Sequence, residues 1–272
     1  MIFKRSLGLV SVAALSLGLV SCASDSTDDK TIRVGVSPGP YSVLFQDGID
    51  PILAEDGWTI EYTNFSDLQQ ATTAVQEGAV DLNVDQHTAY MEVFNRERGA
   101  ELDSITEVPT VPAGLYSERH SSLEDVADSQ TVGIPMDASN AARAYNILAD
   151  AGWITLKDGA DPALLTENDI DENRYNLDIQ VMDSATIPRA LQDLDWGVIP
   201  GSMSYASGVD PNLQLFQEDL RPELILVAVT RADQVGTEWA EAVAEAYRDD
   251  SFHEFLEDEN VNDYWFVPES IK

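Results

Sequence analysis

Short β-branched runs alternate with longer amphipathic segments at the start of the folded chain. The runs at 31–37, 59–63 and 80–84 predict strands, and segments 41–55 and 67–77 carry apolar residues at helical spacing. Repeated alternation of this kind is typical of a mainly parallel sheet with helices on its faces. An α/β fold is therefore predicted.

The same alternation returns in the second half of the chain. The pattern predicts helices at 122–126 and 186–193 and strands at 131–134, 178–182 and 196–199. Residues 153–159 have the composition of a turn, and the acidic segment 160–173 that of a surface. These elements predict a second α/β unit.

Two segments have the character of connections between these units. Residues 108–114 are extended and broken by prolines, which suits a crossing, and the apolar run 224–230 can return as a strand before helices at 239–247 and 251–257. We therefore expect a two-lobed binding-protein fold. Its first lobe comprises 31–112 and 223–272, its second lobe comprises 113–222, and the ligand lies in the cleft between them.

One strand–loop–helix junction, 133–143, has the chemistry of an anion site. Pro135 is expected to break the strand, Asp137 or Ser139 can cap the following helix, and Arg143 lies one turn inside it. Free backbone N–H groups and a guanidinium together suit a carboxylate. The alternative is an ordinary capped helix whose arginine pairs with a surface acid, and this stretch by itself favours that plainer interpretation.

Other loops are predicted to meet this junction. Ligands of open α/β sheets collect beyond the carboxyl ends of the strands. The segments 38–41, 85–90 and 200–205 each follow a predicted strand, as 135–143 does. The predicted ligand site is the place where these loops converge.

The N-terminus has the pattern of an export signal. Lys4 and Arg5 precede an apolar run, 7–20, that is short for a membrane span, and Cys22 follows a small-residue cleavage site. This resembles the bacterial lipobox, so 1–21 is predicted to be a lipoprotein signal peptide, Cys22 the acylated residue (palmitate) and 22–30 a flexible tether. The protein is then expected on the cell membrane, facing away from the cytoplasm, at the cell surface or in a periplasm.

The charge balance excludes some partners. Fifteen Lys and Arg residues face 49 Asp and Glu residues, which gives −34, and loss of Lys4 and Arg5 with the signal makes it −36. Such a surface repels phosphate groups, so nucleic-acid binding is excluded as a function and membrane contact must come from the lipid. Cys22 is the only cysteine, and no disulfide within the chain is expected.

The sequence gives no support for an enzyme. Once Cys22 is acylated no cysteine nucleophile remains, and His87, His120 and His253 are isolated in sequence. We therefore expect no catalytic residue, no metal site and no cofactor. His87 taken alone is more often a structural histidine than a ligand contact.

Four motifs in order resemble one family. Gln86-His87 with Tyr90 is similar to Gln-His-x-Pro-Tyr, 135–143 to Pro-x-Asp-x-x-Asn-x-x-Arg, and 152–159 to Gly-Leu-Ile-x-Leu-Lys-x-Gly, while 187–191 reads Ile-Pro-Arg-Ala-Leu. The chain thus resembles the NlpA/MetQ family, the lipid-anchored substrate-binding proteins of methionine ABC importers. The resemblance covers nearly all of the chain after the signal.

The resemblance implies a function and a site. It implies capture of one amino acid, with methionine as the default, and delivery to an ABC permease and its ATPase. Arg143 would hold the ligand carboxylate with help from Asn140, and His87 and Tyr90 would line the side-chain pocket. Gln86, Asp85 and Ser202 complete the candidate ligand-binding residues.

Three departures from the family pattern concern the ligand. Asp85 stands where the family has phenylalanine, and Pro200 and Leu226 stand where it has the asparagines expected to accept from the ammonium group. Asp85 could replace them, because a carboxylate is a stronger ammonium partner than an amide. It could equally cap a helix beginning at Gln86.

These departures leave two alternatives to methionine import. One is the same fold with a different small zwitterionic or anionic ligand. The other is a surface lipoprotein that serves adhesion or sensing and takes no part in transport.

Overall fold

The computed structural model describes residues 30–260 and 264–272. The predicted signal peptide, the lipid attachment at Cys22 and the tether up to residue 29 lie outside these ranges. Across the described ranges, no helix has both the length and the apolar character needed to cross a membrane.

The described residues form twelve strands and nine α-helices. The strands are β1 (Thr31–Val36), β2 (Thr59–Asn64), β3 (Asn83–His87), β4 (Leu102–Glu107), β5 (Gly114–Tyr116), β6 (Thr131–Pro135), β7 (Ile154–Leu156), β8 (Ile170–Asn173), β9 (Asp178–Met182), β10 (Trp196–Ile199), β11 (Gln214–Gln217) and β12 (Leu226–Arg231). The helices are α1 (Pro40–Leu44), α2 (Asp50–Glu55), α3 (Leu68–Gln76), α4 (Thr88–Arg98), α5 (Ala138–Asp150), α6 (Ile187–Ala190), α7 (Gly201–Ser207), α8 (Glu238–Ala246) and α9 (Asp250–Glu259).

The first lobe is built on strands from both ends of the described chain. β1 pairs in parallel with β2, and a parallel bridge between Val34 and Leu82 joins β1 to the start of β3. β12 lies antiparallel between β3 and β4. Its largest core includes Ile32, Phe45 and Phe252, all with no exposed surface, because the helices α1, α2, α8 and α9 cover the sheet.

The second lobe contains one five-stranded sheet in the order β11-β5-β10-β6-β9. β6 is parallel to β9 and β10, whereas β5 is antiparallel to β10 and β11. Helix α5 packs its buried face, including Ile147 and Leu148, on this sheet beside Trp196. The hairpin β7–β8 extends the lobe.

Two adjacent segments connect the lobes. Val108 donates its N–H to the carbonyl of Leu226 at 2.9 Å, and Leu226 donates to the Thr110 hydroxyl at 2.9 Å. The predicted two-lobed α/β fold is confirmed. The lobe boundaries at 112/113 and 222/223 stay predictions, and β12 does return to the first sheet as expected.

The predicted elements differ from the structure in several places. The helix predicted over 41–55 is interrupted by a π-helical turn, Phe45–Ile49, between α1 and α2. The third strand lies later than 80–84, so the loop predicted at 85–90 is wrong: Asp85, Gln86 and His87 belong to β3, and the helix begins at Thr88. Pairing with β12, in which Leu226 opposes His87, keeps these polar residues extended.

The other differences are local. β6 ends at Pro135, one residue beyond its predicted end at 134, and the turn predicted at 153–159 contains β7. The loop predicted at 200–205 is also wrong, because α7 begins at Gly201. A Cβ at Gly201 would lie 2.5 Å from the carbonyl oxygen of Val111, so only glycine lets this helix start against the crossing segment.

Candidate functional site

Asp137 caps α5 at the predicted anion junction. Its Oδ1 accepts the N–H of Asn140, the hydroxyl of Ser139 and the side-chain Nδ2 of Asn140, each at 3.0 Å. The prediction that Asp137 or Ser139 caps the helix is thereby resolved in favour of Asp137. One of the backbone donors expected to be free, the N–H of Asn140, is occupied by this carboxylate.

His87 caps α4 and contacts the second lobe. Its Nδ1 accepts the N–H of Tyr90 at 3.1 Å, which places the ring proton on Nε2, and Nε2 lies 3.4 Å from Oδ1 of Asn140. Burial, and then the positive charge of Arg143, lower the pKa of His87 to about 3, while the contact with Asn140 opposes the shift. The imidazole is therefore neutral at physiological pH.

Arg143 is buried on α5 and forms an ion pair with Glu218. Its Nε lies 2.9 Å and 2.8 Å from the two carboxylate oxygens, and its Nη2 also donates to Oε1. Both side chains are almost fully enclosed, with 4% and 3% of their surface exposed. Burial opposes ionisation of the guanidinium, but the Glu218 charge outweighs it and raises the pKa of Arg143. Arg143 therefore pairs with an acid, as the plainer interpretation of the sequence expected, but this acid is buried and does not lie on the surface.

Arg143 also lies within electrostatic reach of the first lobe. Its charge lowers the pKa of His87, and it opposes the rise that burial produces in the pKa of Tyr41 on α1. The Tyr41 hydroxyl donates to the carbonyl of Val111 and accepts its N–H, both at 3.3 Å, in the segment that connects the lobes. The guanidinium thus lies where the two lobes and their connection meet.

Asp85 lies beneath the start of α1. Its Oδ2 accepts from the N–H and the hydroxyl of Ser37 at 2.8 and 2.9 Å and from Nδ2 of Asn83 at 3.2 Å, and its Oδ1 accepts from the hydroxyl of Ser42 at 2.7 Å. Burial raises its pKa, and these bonds oppose the rise. The interpretation of Asp85 as a helix cap is wrong, because α4 begins at Thr88 and His87 caps it.

The remaining predicted residues lie in different surroundings. Gln86 is 1% exposed; its Nε2 donates to Oδ1 of Asn83 at 2.9 Å, but its Oε1 is buried without a hydrogen-bond partner among the described residues. The Tyr90 ring meets the His87 ring edge-on, with centroids 6.4 Å apart. Ser202 is half-buried near the start of α7. It lies against Gly39, where an added Cβ would be 3.3 Å from the Cβ of Ser202.

The structure brings some predicted site residues together and separates others. His87 contacts both Tyr90 and Asn140, and the positive charge of Arg143 lowers the pKa of His87. Ser202 lies instead at the α1–α7 contact, beside Gly39. Glu218 and Tyr41 were missed, because an acid among 49 and a tyrosine on an amphipathic helix carry no distinguishing sequence signal.

Two positions where the family pattern has asparagine are apolar here. Leu226 is 2% exposed at the start of β12, and Pro200 precedes the first residue of α7. Neither side chain can accept a hydrogen bond. Across the described residues, no group of three His, Cys, Asp or Glu side chains could hold a metal ion.

Comparison with known proteins gives one consistent result. A family model described as NlpA lipoprotein matches residues 32–268. The D-methionine-binding lipoprotein MetQ of Salmonella typhi is 30% identical over 258 residues, which cover 93% of this chain and 95% of that protein.

Two solved structures resemble the fold. A nutrient binding protein from Burkholderia cenocepacia bound to methionine has a TM-score of 0.80 at 28% identity, covering 87% of this chain and 99% of that one. A crystal structure of the methionine binding protein MetQ has a TM-score of 0.81 at 27% identity, covering 89% and 99%. The chain belongs to the NlpA lipoprotein family, whose members are substrate-binding lipoproteins and not enzymes.

Proposed function

We propose that this protein captures a small zwitterionic amino acid, by default methionine, between its lobes and delivers it to an ABC permease. The observation that carries the proposal is Arg143, a buried cation of the second lobe one helical turn after Asn140, whose Oδ1 lies 3.4 Å from Nε2 of His87 in the first lobe. The choice of methionine rests on the relatives, which include MetQ lipoproteins and a protein solved with methionine bound.

Arg143 is the proposed partner of the ligand carboxylate. A guanidinium has five N–H donors in a planar fork, so one carboxylate does not exhaust them. Asn140 lies one helical turn before Arg143 and holds the contact with His87. The ligand carboxylate would therefore lie beside the His87–Asn140 contact.

The ammonium group needs an acceptor that Pro200 and Leu226 do not provide. Gln86 Oε1 is one candidate, since it is a buried acceptor without a partner among the described residues. Asp85 is the other, but four donors already point at its carboxylate. Because an unpaired buried acceptor is costly, Gln86 Oε1 is the acceptor that gains more from a bound ammonium.

The side-chain pocket is proposed at His87 and Tyr90. His87 is neutral, and the two rings meet edge to face. A thioether packs favourably against aromatic rings and needs no charged partner. These properties support an uncharged ligand side chain such as that of methionine.

The proposed setting is the outer face of the cell membrane, with Cys22 acylated and the folded part held on a short tether. The partners are an ABC permease and its ATPase. The family supports a lipoprotein, and the tether composition supports a folded part that can reach a neighbouring membrane protein.

Mass spectrometry of small molecules retained by the detergent-extracted protein tests this function. We expect a retained amino acid, and after its removal, saturable calorimetric binding of L- or D-methionine. Binding of another zwitterion with no response to methionine would retain the receptor function and change its ligand. The absence of the family's asparagines at positions 200 and 226 favours such a change of ligand over loss of binding. No binding across the twenty amino acids and D-methionine would overturn the proposal.

A further inference from the structure

One edge of the Arg143 guanidinium is occupied by the chain itself. Glu218 accepts from Nε and Nη2, which form one side of the planar fork. Nη1 donates no hydrogen bond within residues 30–260 and 264–272. The edge formed by Nη1 and the second proton of Nη2 therefore has no acceptor within the described residues, and its two donors match a second carboxylate.

Glu218 is itself held in place from both its main chain and its side chain. Its N–H donates to the carbonyl of Ala113 at 3.1 Å, and the N–H of Ala113 donates back to its Oε1 at 2.6 Å. Ala113 directly precedes β5, and Glu218 directly follows β11, the strand that pairs with β5. The carboxylate is thus fixed to the edge of the second sheet.

Both members of the ion pair belong to the second lobe. Arg143 lies on α5, which packs on β6, and Glu218 extends the β5–β11 pairing. Separation of the lobes therefore need not break the pair. Tyr41 and His87, by contrast, approach Arg143 from the first lobe.

We propose that Glu218 is a positioning residue, which holds the Nε edge of Arg143 so that the Nη1/Nη2 edge faces a ligand carboxylate. This inference rests on the proposed function. A guanidinium on a four-bond side chain loses rotamer freedom when it binds, and a fixed carboxylate on one edge removes that cost before the ligand arrives. The pair is also neutral, so a second carboxylate is best accommodated when the ligand carries its own ammonium group.

Competition is the opposite arrangement, in which Glu218 occupies the ligand's place and must leave. It would require breaking three hydrogen bonds to Arg143 and one to Ala113, and a buried carboxylate would lose its charged partner. Breaking a buried pair in this way is strongly unfavourable. A carboxylate bound on the unpartnered Nη1 edge makes that step unnecessary.

The test is the substitution Glu218→Gln, with methionine and methioninamide as probes in calorimetry. Positioning acts only through the carboxylate contact, so we expect methionine affinity to fall about 10- to 100-fold, while affinity for the amide is unchanged. Equal losses for both probes would mean a purely structural role, and tighter methionine binding would mean competition. Either result overturns the proposal.

Glu223→Gln is the matched control. Glu223 lies five positions further along the chain, is half-buried, and forms no hydrogen bond or ion pair within the described residues. The substitution removes the same charge, so methionine affinity should not change. Thermal melting of both variants shows whether each is folded at the temperature of the measurement.

A crystal structure of the unsubstituted protein with methionine gives a second test that does not depend on the variant. We expect Glu218 still on the Nε edge and the ligand carboxylate on the Nη1/Nη2 edge. A ligand carboxylate in place of Glu218 would overturn the positioning role. Failure of the unsubstituted protein to bind any amino acid would instead overturn the proposed function, so the two failures are distinct.

Discussion

Nε2 of His87 lies 3.4 Å from Oδ1 of Asn140, and the two residues come from different lobes. The same imidazole accepts the N–H of Tyr90 through Nδ1. One neutral ring thus caps α4 and contacts the start of α5. Its protonation would place a proton on Nδ1 and break the bond from the N–H of Tyr90, so pH acts directly on the cap of α4.

His87 should make the protein less stable in acid. Burial, and then the charge of Arg143, lower its pKa to about 3, whereas an unfolded histidine titrates near 6.5. Between these values the unfolded chain binds more protons than the folded one, so the free energy of unfolding falls as pH falls. From pH 7 to pH 5 the contribution of this group is a loss of about 2 kcal/mol.

Urea unfolding of the protein and of His87→Gln at both pH values measures this contribution. The variant keeps a polar side chain but cannot titrate, and the other histidines and the acids titrate in both proteins. We expect the stability advantage of the unsubstituted protein to shrink by about 2 kcal/mol between pH 7 and pH 5. Parallel profiles would show that His87 is not held neutral.

The fold was predictable where apolar runs lie between turn residues. β1, β2, β6, β9, β10 and β12 fall on such runs, which are rich in β-branched and other apolar side chains. β3 was displaced, since Asp85, Gln86 and His87 are polar residues held extended by pairing with β12. β4 went unpredicted because Asp103, Ser104 and Glu107 interrupt its apolar positions, and long-range pairing with β12 decides its conformation.

The site was predictable only where its parts are local in sequence. Asp137 and Arg143 lie within two helical turns, so capping rules and spacing place them together. Glu218 is 75 positions from Arg143, and nothing distinguishes it from the other acids until β11 pairs with β5. The sequence could therefore suggest an anion site but not that a buried acid shares its arginine.

Asp85 should contribute to stability through its four donors. Asp85→Leu leaves the N–H and hydroxyl of Ser37, the hydroxyl of Ser42 and one N–H of Asn83 without their acceptor, and each buried unpaired group costs about 1–3 kcal/mol. Asp85→Asn keeps one acceptor oxygen and removes a buried charge, so its cost should be much smaller. Urea unfolding at pH 7 compares the two variants.

Methionine calorimetry on Asp85→Asn separates the two roles of this residue. If the carboxylate received the ligand ammonium, affinity would fall far more than stability. We expect nearly unchanged affinity, because Asp85 is occupied by Ser37, Ser42 and Asn83. A large loss of affinity in a stable variant would establish Asp85 as the ammonium partner in place of Gln86.

Cys22→Ser should release the protein from membranes. The lipobox-like sequence supplies the only thiol for acylation, and the net charge of −34 disfavours binding to anionic headgroups without a lipid. Fractionation of cells that produce the variant should find it in the soluble fraction. Ser21→Ala keeps Cys22 behind a small residue and should stay membrane-bound, and membrane retention of Cys22→Ser would contradict the lipid anchor.

Arg143→Met should lower both stability and ligand affinity, for different reasons. It leaves the Glu218 carboxylate, 3% exposed, without its cation, which costs about 3–5 kcal/mol of unfolding free energy. The double variant Arg143→Met/Glu218→Gln removes the unpaired charge and should recover most of that loss in urea unfolding. Both variants should bind methionine at least about 100-fold more weakly in calorimetry, because both lack the proposed carboxylate partner. A double variant as unstable as the single would show that the buried charge is not the cause, and unchanged methionine affinity in either would refute the role of Arg143 in binding.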